Sequence, residues 1–388
     1  MRSPMNKTLP TPSADAQAAS TALCRRIAAE IEAGGGWISF ARYMELALYE
    51  PGLGYYAGGS HKFGEAGDFV TAPELTPLFG RALARQVAQV TAASAPVVLE
   101  AGAGSGRLAA DLLLALDADG TAPERYLILE LSGELRARQR ETIAHAAPAL
   151  AARVEWLDAM PASFAGCIVA NELLDAMPVQ ALAWRGEGVM ERGVAVDGDG
   201  HFTWAERPAD LALARSAAEL EIAAPYVGEV ALAARAWTAE WGRRLTQGAL
   251  ILIDYGLPRH EYYHAQRNGG TLRCHYRHRS HDNPFWWPGL SDITSHVEFT
   301  AIAEAGFSAG LDVLGYTAQA SFLMNCGIGE LLAERQANGG EAATKALGAA
   351  QVLLAPGEMG ELFKVIALGR GMEMPLIGFA RGDRLHSL

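Results

Sequence analysis

Apolar residues first recur at four-residue steps in Leu23, Ile27 and Ile31, the spacing of one helix face, and the run ends at Gly34-Gly35-Gly36. The pattern predicts a helix over 21–32 and leaves the polar residues 1–20 as a disordered lead-in. Ser39 is a natural N-cap for a second helix through "FARYMELALY". A long glycine-rich loop follows, "EPGLGYYAGGSHKFGEAGDFVTAPEL". Thr76-Pro77 then open another helix with a cap and a first-turn proline. Residues 21–95 thus read as an N-terminal helical cap with a loop.

From residue 97 the pattern changes. "VVLE" is a continuous apolar run closed by an acid, with helical spacing from Arg107 to Leu116 after it. Strand Tyr126–Glu130, helix Gly133–Ala146 and short strands at Val154–Leu157 and Cys167–Ala170 follow. Further buried strands are "ALILIDYG", Leu311–Tyr316 and "FKVIALG". Apolar strands interleaved with helices predict an α/β fold, a mostly parallel Rossmann-like sheet covered on both faces. "RGVAVDGDGHFTWAE" alternates instead and carries Asp-Gly turns, so it reads as an inserted hairpin. Helical spacing over Leu211–Leu245 extends that insertion to 181–245, and the aromatic, histidine-rich 260–293 is a second one. The core is 96–370. The tail, 371–388, is either a docking segment or frayed.

Composition narrows the function classes. The net charge of −12 over 388 residues argues against broad nucleic-acid contacts, which need a basic face. Cys24, Cys167, Cys274 and Cys326 are far apart and form no CxxC pair, which suggests reduced thiols. No apolar run reaches membrane-spanning length. The N-terminus lacks a secretory apolar core and is a poor transit peptide. These features suit a cytoplasmic, bacterial-type protein; the mitochondrial matrix would require residues 1–20 to act as a transit peptide.

"VVLEAGAGSG" raises the question of which ligand the glycine turn takes. Gly104–Ala109 matches the dinucleotide pattern GxGxxA, and a nucleotide-linked oxidoreductase is one reading. Its register is poor, because Ala101–Ala103 separate it from the strand. S-adenosyl-L-methionine is the other ligand class. Its ammonium and sulfonium favour a carboxylate beside the turn, where a pyrophosphate would be repelled. Glu100 therefore favours the methyl donor, and Gly102, Gly104 and Gly106 let the backbone pass close beneath it. Glu130, ending the second strand, is placed for the ribose hydroxyls, with Leu131 beside it. Asp158 either receives the adenine amino group or is a loop acid. Asp68, Thr71 and Glu74 lie on the glycine-rich loop, which looks like a lid, and Asp68 and Thr71 join the cofactor set.

Asn171, Glu172 and Asp175 in "IVANELLDAMPVQ" should line the crevice at the C-terminal strand ends. Asn171 or Asp175 could instead cap a following helix. Glu172 and Asp175, three apart, share one face if a helical turn starts there. With Asn171 and, in reserve, Asp254, they are the catalytic candidates. Cys274, His275, His278 and His281 have no common zinc spacing, so no metal is expected. That segment reads as a substrate-facing aromatic loop or a solvated one.

The stretches "ISFARYMELALYEPGLGYY", "GDFVTAPELTPLFG", "LEAGAGSG", "ILELSGELRARQ", "ANELLDAMPV", "LIDYG", "HRSHDNPFWWPGLSDITSHVEF" and "MGELFKVIALG" run in order from Ile38 to Gly369. The chain thereby resembles the MidA and NADH dehydrogenase assembly factor 7 methyltransferases, a branch of the class I adenosylmethionine-dependent enzymes. The resemblance implies a seven-stranded sheet whose last strand is antiparallel, with "FKVIALG" in that place. It also implies arginine methylation of a protein substrate, a respiratory complex I subunit being the associated target. Asn283–Trp287 departs from the family pattern at the substrate rim. A non-catalytic assembly chaperone, docking through an exposed "PFWWPGL" patch, is the remaining alternative.

Overall fold

The computed structural model describes residues 9–58, 71–337 and 339–388. Two compact units share the chain. One comprises Met1–Val70, Pro178–Val230 and Ala265–Ser295; the other comprises Thr71–Met177, Ala231–His264 and His296–Leu388. The helices Pro77–Ala93 and Leu232–Arg244, expected in the cap and the first insertion, therefore belong with the sheet.

In the second unit the strand order is Val154–Leu157, Arg125–Leu129, Val97–Ala101, Phe164–Asn171, Leu245–Leu257, Phe363–Arg370 and Asp312–Ala318. The first five pair in parallel. Phe363–Arg370 runs antiparallel to both neighbours, as the resemblance implied. A short strand, Val297–Glu298, adds in parallel to the end of Leu245–Leu257. Successive residues of these strands serve opposite cores. Val98, Ile128, Val169, Ile251 and Val365 pack on one face, and Leu99, Leu127, Ile168, Leu250 and Ile366 on the other. That two-sided burial is why the strands are apolar without alternation.

The tail is neither frayed nor free. Leu376 and Phe379 are buried, and the Asn325 amide donates to the carbonyls of Gly378 and Arg381. Asp383 Oδ1 accepts from Tyr316 N at 3.1 Å, and Arg384 N donates to Tyr316 O at 2.6 Å. The tail thus takes up backbone groups of the outermost strand, covering an edge that would otherwise be open to pairing. Helices Gln319–Asn325, Ile328–Ala337 and Gly340–Leu354, which the sequence reading passed over, lie between that strand and the last one.

The first unit is built on an antiparallel sheet ordered Ile38–Ser39, Gly188–Val196, Gln180–Arg185 and Tyr226–Val230, with Phe202–Pro208 paired to Gly188–Val196. The expected hairpin is present. The expected helical stretch 211–245 is broken by the strand Tyr226–Val230, whose five residues "YVGEV" sit between two helical patterns. The opening helix is also longer than expected. It spans Ala14–Ala33, with Ser13 capping it by accepting from Ala16 N, so residues 14–20 are helical and not a disordered lead-in. Ser20 is buried there and donates to Pro288 O at 2.7 Å.

The "PFWWPGL" segment is partly packed, with Pro284, Pro288 and Gly289 buried and Phe285, Trp286, Trp287 and Leu290 half-buried. Tyr43 donates to Pro284 O, Phe285 lies edge-on to Tyr43 at 5.3 Å, and Trp286 sits 4.8 Å from Tyr276. Cys274 and His275 are consecutive on the Arg273–Tyr276 strand, so their side chains leave opposite faces. Among the described residues no three His, Cys, Asp or Glu side chains group as a metal site would need.

Phe379 lies against Gly315, where a Cβ would come within 2.3 Å of its ring, and edge-on to Phe322 at 5.5 Å. Phe379→Ala should therefore destabilise the protein by about 3 kcal/mol in urea unfolding. An unchanged midpoint would show that the tail contributes no packing.

Candidate active site

The site lies at the C-terminal ends of the parallel strands, within the second unit. Val97–Ala101 runs into a turn in which Gly102, Gly104 and Gly106 have φ of 69°, 53° and 84°. The requirement is steric as well as conformational. A Cβ on Gly102 would meet Leu173 Cδ1 at 2.8 Å, and one on Gly106 would meet the Gln139 backbone at 2.9 Å.

Gln139, fully buried on the Gly133–Ala146 helix, ties this turn to the second strand end. Its amide nitrogen donates to Gly104 O at 3.1 Å and to Glu130 Oε2 at 3.2 Å, while its oxygen accepts from Trp156 Nε1 at 2.9 Å. Glu130 also accepts from Ser132 N at 2.9 Å. Burial raises its pKa above the ordinary carboxylate value, against the pull of those hydrogen bonds. Sequence reasoning missed Gln139, because a glutamine in a polar helix carries no mark of being buried.

Leu131, next to Glu130, is 80 % exposed, an apolar side chain presented to solvent at a strand end. Asp158 is also exposed and pairs with Arg136 at 2.7 Å. Arg136 in turn donates to the carbonyls of Glu130 and Leu157, both at 2.6 Å. Asp158 therefore reaches the strand ends through Arg136.

Glu100 is buried and accepts from the Tyr126 hydroxyl at 2.5 Å. Burial pushes its pKa up to about 7; the Tyr126 bond opposes this and the charge of Glu130 adds to it. Thr71 begins the short helix Ala72–Leu75 without a side-chain cap bond. Glu74, in that helix, accepts from the Ser105 hydroxyl in the glycine turn. Asp68 lies outside the described residues.

The segment after Phe164–Asn171 is a turn and not the start of a helix. Glu172 has φ of 52°, in the left-handed region, and its N–H donates to Ile253 O at 2.8 Å. The shared helix face expected of Glu172 and Asp175 does not form, and neither Asn171 nor Asp175 caps a helix. What organises the turn is Asp254. Its Oδ2 accepts from Leu174 N at 2.9 Å and Asp175 N at 3.2 Å, and its Oδ1 accepts from Tyr255 N.

Three carboxyl groups therefore press on one another. Burial, Asp175 and Glu172 drive Asp254 well above the usual range. Burial raises Asp175 too, opposed by the Tyr255 hydroxyl and by backbone N–H groups. Burial, with Asp175, pushes Glu172 up to about 8, while the Asn171 amide at 3.0 Å and the Ala72 N–H hold it lower than it would otherwise be. Like charges this close cannot all ionise without a cation. Asn171 Oδ1 is buried and has no hydrogen-bond partner among the described residues, leaving an acceptor for a donor-rich ligand. The glycine turn, which admits no Cβ, and this set of acceptors fit a cationic cofactor.

Comparison with known proteins agrees. Residues 78–317 match the family described as "Putative S-adenosyl-L-methionine-dependent methyltransferase". The mouse protein named "Protein arginine methyltransferase NDUFAF7, mitochondrial" is 28% identical, covering 90% of this chain and 84% of its own length. The human protein of that name is 27% identical, with 90% and 83% covered. A Burkholderia thailandensis protein, solved in a crystal bound to S-adenosyl-homocysteine, is 54% identical with a TM-score of 0.95, covering 98% of this chain and 100% of that one. The dinucleotide reading of Gly104–Ala109 is thereby set aside. The chain belongs to this family of methyltransferases, and its cofactor is S-adenosyl-L-methionine.

Proposed function

We propose that this methyltransferase acts on arginine side chains of a protein partner, a subunit of respiratory complex I being the target class that the family resemblance suggests. The observation that carries the reading is the group of buried Asp175 and Asp254 and half-buried Glu172, short of positive charge, beside the unpartnered Asn171 Oδ1. A guanidinium is planar, rich in donors and permanently cationic, and so supplies both what the carboxylates and what the amide oxygen lack. The names of the mouse and human relatives support the same substrate class.

When bound, S-adenosyl-L-methionine supplies an electrophilic methyl group on sulfonium. Glu100 offers the counter-charge for its ammonium, Glu130 accepts from the ribose hydroxyls, and Leu131 gives the adenine an apolar face. Gly102, Gly104 and Gly106 would let the turn lie close beneath it, and Thr71 would join the residues that hold it. Asp158 acts through Arg136, fixing the backbone carbonyls at the strand ends.

Glu172 and Asp175 hold the guanidinium fork and localise its charge away from the attacking nitrogen. As that nitrogen gains carbon it must lose one proton, and the Glu172 carboxylate takes it. Asn171 orients Glu172 and accepts a further guanidinium N–H. Asp254, with both oxygens engaged by backbone N–H groups, positions the turn.

Glu172→Gln should lower methyl transfer by at least about 100-fold while S-adenosylhomocysteine affinity stays within about threefold. The readout is labelled methyl incorporation with mass analysis of protein hydrolysates. Methyllysine or methylglutamine in place of methylarginine would overturn the substrate class.

The titration has a defined sign. With its folded pKa raised to about 8, Glu172 binds a proton in the native state that the unfolded chain has released. Stability from this group is therefore present at acid pH and lost as pH rises towards 8. The melting temperature of Glu172→Gln, relative to wild type, should rise by at least about 2 °C between pH 5 and pH 8. A difference that stays flat over this range would show that Glu172 titrates normally.

A further inference from the structure

Gln139 takes no part in the chemistry described above, yet its side chain reaches both the glycine turn and the acid assigned to the ribose. It is fully buried on the helix Gly133–Ala146. An indole N–H can only donate, so the 2.9 Å bond from Trp156 Nε1 identifies Gln139 Oε1 as the acceptor and fixes which way the amide faces. Trp156 is itself covered by Arg140, whose guanidinium lies over the indole at 4.5 Å. The two amide N–H groups are thereby directed to Gly104 O at 3.1 Å and to Glu130 Oε2 at 3.2 Å.

The other Glu130 oxygen accepts from Ser132 N at 2.9 Å, and Ser132 is the N-cap of the same helix. One helix therefore grips the two oxygens of Glu130 separately, from its cap and from its second turn. The glycine turn rests on the same residue, since a Cβ on Gly106 would meet Gln139 Cα at 2.9 Å.

We propose that Gln139 is a positioning residue that sets how strongly this enzyme recognises the ribose hydroxyls of its cofactor. It stops the Glu130 carboxylate from rotating, and through Gly104 O it holds that carboxylate in register with the turn. A carboxylate has roughly four acceptor positions, more than these donors fill, so Glu130 retains capacity for hydroxyl donors. Hydrogen bonds to an ionised acceptor are strong but depend on direction. Without the amide the charge stays in place while its aim is lost. This rests on Glu130 being the ribose acceptor, and its test requires no methylation.

The experiment is calorimetric titration with S-adenosylhomocysteine and with its 2′,3′-dideoxy analogue, which lacks both ribose hydroxyls. In wild type the analogue should bind about 100-fold more weakly. Gln139→Met keeps the length of the side chain without its donors, and Gln139→Asn keeps the amide but withdraws it from reach. Each should cut that ratio at least about fivefold, chiefly by weakening S-adenosylhomocysteine. General loosening of the site would weaken both ligands alike and leave the ratio unchanged, so the ratio separates positioning from packing. The two variants break the same bonds by different means, so one that folds is enough; a smaller change in ratio there would overturn the inference. Glu130→Ala tests the reading beneath it. A wild-type ratio near unity, or a ratio that survives in Glu130→Ala, means that Glu130 is not the ribose acceptor and removes the inference with it. A ratio lost in Glu130→Ala but kept in the Gln139 variants overturns the inference alone.

Discussion

The site depends on one constraint, the burial of carboxyl groups at the ends of apolar strands. Glu100, Glu130 and Asp254 each lie in or just after the C-terminal end of a strand whose preceding residues are committed to the two cores. The chain direction therefore fixes where these acids emerge. Desolvation then holds them closer to neutrality than free carboxyl groups at the same pH. A site of this kind gains more from a cation than an exposed acidic patch does, because screening by water is weak. Both the methyl donor and the proposed arginine substrate bring positive charge to it.

Around that constraint the neutral hydrogen bonds form a scaffold. Gln139 joins the glycine turn to Glu130 and Trp156, and Asp254 gathers the N–H groups of Leu174, Asp175 and Tyr255. Both are buried and nearly saturated with partners. Asn171 Oδ1, in contrast, is buried and unmatched. The contrast separates groups that hold the fold from groups set aside for a ligand.

The parallel strands and the glycine turn were legible because their signals are local: apolar runs, one acid at each exit and glycines where φ must be positive. The antiparallel last strand came through family resemblance, since strand direction leaves no local mark. Other features were decided by tertiary contacts. "YVGEV" reads as part of a helical stretch, yet pairs with Gln180–Arg185 and becomes a strand. Glu172 sits where spacing allowed a helical turn, but two backbone donors from the turn to Asp254 and the bond to Ile253 O set a left-handed residue there instead. Trp286 and Trp287 suggested an exposed aromatic patch, and only the packing shows that their segment is held by Tyr43, Ser20 and Tyr276. Ser105 and Glu74 are far apart in sequence and carried no sign of their pairing.

The central claim is that a buried carboxyl group gives up its proton when the ligand's ammonium group arrives beside it. Calorimetric titration with S-adenosylhomocysteine at pH 7, repeated in buffers of different ionisation enthalpy, counts that proton directly. With the Glu100 pKa raised to about 7, wild type should release about half a proton from this group on binding, and Glu100→Gln should release correspondingly less. Binding heats that are independent of buffer in wild type, with normal affinity, would contradict the account.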